Sequence, residues 1–204
     1  MIVIYAADIG SIKNKNFAWA RLANDTGQID TDTSIHTLVT AINLDLSQNN
    51  KVCLGFECPL FINLPSDPIM LTSARMGERD RPWSAGAGSG SLATGLAEVL
   101  WVLSGLKQKA LHPILVTFII TDLLKGNENL LIWEAFVTSK SKGNSHCEDA
   151  VIAVKKFAEK LNSGVIRTDV AVENPYSLVG AAMLRSGITT DMEVLKTQCV
   201  VVRA

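Results

Sequence analysis

The chain has 204 residues and a mass of 22.0 kDa, the size of a single domain. An apolar share of 48 % excludes a disordered chain and leaves ample material for a core. A formal net charge of −1 excludes binding to nucleic acid by bulk electrostatics, so any such contact must be local.

Residues 1–7 form an apolar run of strand length, without the basic region or cleavage site of a signal peptide. A polar turn over 10–16 leads to a second strand at 17–22. Asn24-Asp25-Thr26-Gly27 then makes a hairpin turn into a short third strand. Ile35, Leu38, Ile42 and Leu46 recur at helical spacing, with Asp32 or Thr33 as the expected N-cap. Residues 52–56 read as a buried strand ending in Glu57, and Pro59 stops its pairing.

Residues 65–90 are irregular and rich in Gly, Ser, Arg and Pro, the composition of a long functional loop. Within it, Gly86-Ala87-Gly88-Ser89-Gly90-Ser91 lacks the ending of a P-loop and reads as a flexible hinge. Leu92, Leu96, Val99, Leu100 and Leu103 restore helical period through Leu106. Strands are expected at 114–121 and 130–137, and the apolar run at 114–120 is far short of the ~18 residues of a membrane span. A helix from about Ser145 carries Val151, Val154, Ala158 and Leu161 on one face and ends near Gly164. Asn174-Pro175 reads as an N-cap with Pro at the first helical position, Gly187 closes that helix, and 198–202 is a last strand. Trp101 and Trp133 lie in apolar runs and read as core, while His36 and His112 have no partner pattern. The expectation is one domain over 1–204, with a long loop at 65–90 and a C-terminal helical extension at 165–204.

Cys53 and Cys58 are five apart on one strand and face opposite sides, Cys147 and Cys199 are isolated, and no C-x-x-C occurs. Free thiols in a reducing cytoplasm follow as the expectation.

Three strands, a helix, a strand, a helix, one or two strands and a helix imply an α/β class with a mixed sheet and helices on both faces. This is also the element order of the ribonuclease-H-like fold. The placement of acids sharpens it. Asp8 ends the first strand, Glu57 ends the strand after the first helix, and His146 and Asp149 share the first turn of a later helix. If those two strands are neighbours, the acids converge and call for a cation such as Mg²⁺ or Mn²⁺. Each residue also has a purely structural reading: Asp8 in a turn, Glu57 at a solvated strand end, and Asp149 complementing the helix dipole beside His146. Glu134 is a peripheral fifth candidate.

An acid ending strand one, a Glu ending the strand after helix one, and H-x-x-D opening a late helix resemble the RuvC branch of ribonuclease-H-like nucleases. Gly55-Phe56-Glu57-Cys58-Pro59-Leu60 and His146-Cys147-Glu148-Asp149-Ala150 look closest to an uncharacterised group of predicted nucleases within that superfamily. The resemblance extends to about Leu161. It implies a nuclease using two Mg²⁺ or Mn²⁺ ions, with catalytic residues Asp8, Glu57, His146 and Asp149, of which Asp8, Glu57 and Asp149 hold metal. The junction resolvases of that branch are basic homodimers, whereas this chain is slightly acidic.

Arg75, Arg79 and Arg81 precede Trp83 in the long loop, and Lys140 and Lys142 precede the His146 helix, so both segments are candidate substrate-binding rims for DNA or RNA. The alternative is that Glu78 and Asp80 neutralise the arginines. Asp8-Ile9-Gly10-Ser11 also resembles the first phosphate loop of actin-like kinases and ATPases, but no second D-x-G follows. A non-catalytic binding or scaffold protein retaining the fold is the remaining alternative.

Overall fold

The computed structural model describes residues 1–78, 82–137, 141–164 and 166–204. Strands β1 (Ile2–Asp8), β2 (Ala18–Ala23) and β3 (Ile29–Asp32) form an antiparallel meander, followed by α1 (Ile35–Ser47) and β4 (Lys51–Phe56). Next come β5 (Phe61–Asn63), α2 (Gly86–Lys109), β6 (Val116–Thr117), α3 (Ile120–Lys125) and β7 (Leu130–Phe136). The chain closes with α4 (His146–Asn162), β8 (Pro175–Ser177), α5 (Leu178–Ser186) and β9 (Val200–Arg203).

Seven strands make one mixed sheet in the order β3-β2-β1-β4-β7, with β6 and β9 sharing the far edge of β7. β6 pairs the start of β7 and β9 its end, both parallel. The inner strands read as continuous apolar runs because helices cover both faces. Val3, Tyr5 and Ala7 of β1 join Leu38 and Ile42 of α1 and Val102 and Leu103 of α2 in one core. Ile4 and Ala6, pointing the other way, join Trp133 of β7 and Val154 and Phe157 of α4 in the second. Burial of each such large side chain contributes roughly 1.5–3 kcal/mol. Gly55 is required here: a Cβ at that position would lie 2.3 Å from the Trp133 ring, which crosses β4 to stack on Phe157 at 4.4 Å.

Several elements differ from the sequence reading. The α1 cap is Ser34, whose side chain accepts from Thr37 N–H, while Asp32 binds the N–H groups of Thr33 and Ser34 just before it. In the 114–121 run only Val116 and Thr117 pair, because Thr117 Oγ1 accepts the Ile119 N–H and α3 begins at the next residue. Asn174-Pro175 opens no helix. Asn174 bonds to Asn63 and Leu64, which lays Pro175 alongside β5, and Ser177 caps α5. Gly187 ends that helix with φ +73°, as expected. Residues 166–204 are accordingly woven in rather than appended, since β9 joins the main sheet and α5 packs on α2.

The Gly86-to-Gly90 stretch is no hinge but the first turns of α2. Trp133 is fully buried as expected, whereas Trp101 is 40 % exposed and meets His36 edge-on at 4.9 Å. All four cysteines are free. Among the described helices only α2 has the length and composition to cross a bilayer, and its Val102, Leu103 and Leu106 are buried in the domain core.

Candidate functional site

Parallel pairing of β1 with β4 sets Ala7 opposite Phe56, so the next residues, Asp8 and Glu57, emerge together at the carboxyl edge of the sheet. The Glu57 N–H donates to Ala7 O at 2.8 Å, fixing that exit. Helix α4 supplies the remaining groups. It packs across β1 and β2, and Ser145 caps it by accepting from Glu148 N–H. That places His146 and Asp149 on one face of the first turn, directed at Asp8. His146 Nδ1 lies 2.6 Å from Asp8 Oδ2, and ligand atoms of Asp8, His146 and Asp149 all lie within 4.8 Å of one another. Three of the four residues singled out from sequence, Asp8, His146 and Asp149, therefore cluster at one sheet edge, and Glu57 stands beside Asp8 without joining that cluster.

The electrostatics are those of a crowded acidic site. Burial pushes the Glu57 carboxyl up to about 9, the neighbouring Asp8 charge adds to the rise, and Lys142 opposes it. Burial also raises Asp8, with the His146 imidazole pulling against it. Glu57 Oε2 is buried without a hydrogen-bond partner. Asp149 is anchored by the Gly143 N–H at 2.7 Å and approached by Lys142 Nζ at 3.7 Å. Four polar groups of this set (Asp8, Glu57, Lys142 and His146) line a cavity of about 630 Å³, whose other walls include Trp83, Pro59 and the glycine-rich start of α2.

One acid of the neighbourhood escaped the sequence reading. Glu98 is buried, Oε2 has no partner, and burial followed by the Asp8 charge moves it up to about 7, against the pull of the Gly10 N–H. A signal was present: Glu98 sits on the α2 stripe of Gly95, Val99 and Val102, where a charge is out of place.

The basic rim is corrected in part. Arg75 is fully buried and forks onto Glu134 at 2.6 and 2.9 Å and onto Glu78 at 2.9 Å, so its charge is consumed inside the protein and is not offered to substrate. Glu134 is the partner in that clamp, and it also accepts the Leu60 N–H. Lys142 does stand on the cavity wall, 46 % exposed. Arg79, Arg81 and Lys140 lie outside the described residues.

Fold and site together define an α/β protein with an acidic cluster at the carboxyl edge of its parallel strands. Comparison with family models, with curated proteins and with solved structures finds no match.

Proposed function

We propose that this chain is a metal-dependent phosphodiester hydrolase acting on nucleic acid, built on a ribonuclease-H-like sheet. The observation that carries the reading is the cluster of Asp8, His146 and Asp149, whose ligand atoms lie within 4.8 Å of one another, with Glu57 leaving the neighbouring strand beside Asp8. The strand order supports it too, an antiparallel meander followed by parallel strands.

The residues fit a hard divalent cation. Three carboxylates are the hard oxygen donors that Mg²⁺ or Mn²⁺ takes. Glu57 Oε2, buried with no partner, is the orphaned atom such a ligand would satisfy. Asp8, Glu57 and Asp149 would hold the metal. When bound, it supplies Lewis-acid stabilisation of charge developing on a phosphoryl oxygen.

The chain's own groups do the rest. Asp8 orients the His146 ring through Nδ1, which leaves Nε2 as the nitrogen that would protonate a departing oxygen. Lys142 places one positive charge at the cavity wall for a phosphate. Gly143 N–H holds Asp149 in its rotamer, so the acid is positioned before any ligand arrives.

Thermal unfolding with and without Mn²⁺, beside cleavage of labelled DNA and RNA, tests the proposal. A cation that binds only the native state stabilises it by about 2.7 kcal/mol at a hundredfold excess over Kd. That shift and the cleavage are expected in the parent and lost in Asp8→Asn. Cleavage that survives Asp8→Asn overturns the reading, and absence of any shift at millimolar Mn²⁺ favours a non-catalytic binding protein.

A further inference from the structure

Resting on the hydrolase reading, we propose that the cavity admits single-stranded nucleic acid in preference to duplex, with the indole of Trp83 as the platform for a base beside the scissile phosphodiester. The acids are recessed: Asp8 is 5 % and Asp149 4 % exposed, so the phosphodiester must descend into the cavity to meet them. A strand with unpaired bases can follow it in, whereas bases held in a duplex must first unpair and unstack, which costs free energy. The volume, about 630 Å³, belongs to the range of small-ligand sites, roughly 300–1,000 Å³.

The wall chemistry agrees. Pro82, Trp83 and Ala85 make it apolar, and Lys142 is the one cation among the described lining residues, Arg75 being spent internally. Duplex binding draws mainly on many phosphate contacts, and among the described lining residues Lys142 alone offers one. Stacking on an aromatic face is the alternative source of affinity, and it is open to unpaired bases.

Trp83 is held ready for that role. Its Nε1 donates to Ser73 O at 3.1 Å, and Ser84 Oγ donates to Thr72 O at 2.5 Å, so the segment is tied on both sides. Gly88 of α2 lies so close that a Cβ there would stand 2.6 Å from Pro82 O and 3.1 Å from the Trp83 Cα. The Trp83 backbone is thus seated against α2 and its indole nitrogen is tied to Ser73 before any base arrives, which lowers the ordering cost on binding.

The test is fluorescence anisotropy at fixed salt, using the full chain carrying Asp8→Asn, a short labelled single strand and the matching duplex. The strand is expected to bind about tenfold more tightly than the duplex, and Trp83→Ala to remove about tenfold of strand affinity while leaving the duplex unchanged. Trp83→Phe, with an unfolding midpoint equal to the parent's as its folding control, keeps part of the strand affinity and loses the quenching of indole emission by the strand. Duplex binding equal to or tighter than strand binding overturns the inference, as does strand affinity that neither Trp83 variant alters. The hydrolase reading fails separately. Mn²⁺-dependent cleavage of duplex as fast as strand keeps that reading and removes this one, whereas strand binding with neither cleavage nor Mn²⁺ stabilisation removes the hydrolase.

Discussion

Arg75 and Glu134 are 59 residues apart and meet inside the protein, the guanidinium forked onto the carboxylate at 2.6 and 2.9 Å. Glu78 closes the cluster through Arg75 Nε and the Arg75 backbone N–H, and the guanidinium lies 4.6 Å from the Phe61 ring centre. One side chain thereby fastens the segment before α2 to the end of β7, beside the acidic edge.

Breaking this clamp is expected to unfold rather than to weaken substrate binding. Arg75→Ala leaves two buried carboxylates facing each other, and removing one partner of a buried pair costs about 3–5 kcal/mol. Urea denaturation should show that loss. If Arg75 served a phosphate instead, the variant would keep its midpoint and lose only affinity.

The sheet and its edge were legible for a physical reason. Apolar runs of strand length leave little freedom about where 1–7 and 52–56 go, and an acid ending each run is conspicuous because core positions exclude charge. The Glu78 half of the Arg75 clamp was legible as the alternative that this acid neutralises the arginines, and the structure bears it out for Arg75. The Glu134 half was not, since a charge neutralised by a residue 59 positions away looks the same in sequence as a charge offered to solvent. The same holds for β5 and β8: three residues each, they are strands only because Asn63 and Asn174 bring them together. Local pattern favoured a helix at Pro175, and a long-range contact overrode it.

The acidic edge should make the metal-free protein less stable as pH rises. Glu57 titrates near 4.5 when unfolded and is pushed up to about 9 in the fold by burial and by Asp8, so between those values the native state holds the proton more tightly. Stability is then full below about 4.5 and falls as pH climbs through 9. Glu98, raised to about 7, adds to the lower part of that fall. Thermal unfolding in a chelator across pH 5–9 should give a declining midpoint that Glu57→Gln flattens; a midpoint that rises over this window contradicts the assignment.

Gly55→Ala probes the crossing of Trp133 over β4. With the added Cβ 2.3 Å from the ring, either strand or indole must shift, and overpacking of this kind costs about 1–3 kcal/mol. Denaturation midpoints should fall, and near-ultraviolet dichroism should report a moved indole. An unchanged midpoint would show that the Trp133 ring moves aside without cost.

Lys142 stands where a cation is needed, 3.7 Å from Asp149, and its charge lowers the carboxyls of both Asp8 and Glu57. Under the hydrolase proposal it partly neutralises the cluster before metal arrives and so competes with it. Its side chain is 46 % exposed, which limits the strength of the pairing through solvent screening. Lys142→Gln should therefore bind Mn²⁺ several-fold more tightly by calorimetry, while binding of a phosphodiester substrate weakens because a positive charge has left the cavity wall. Lys142→Arg, which keeps the charge, should restore the parental metal affinity. If glutamine weakens Mn²⁺ binding instead, the ammonium is organising the cluster and not competing for it.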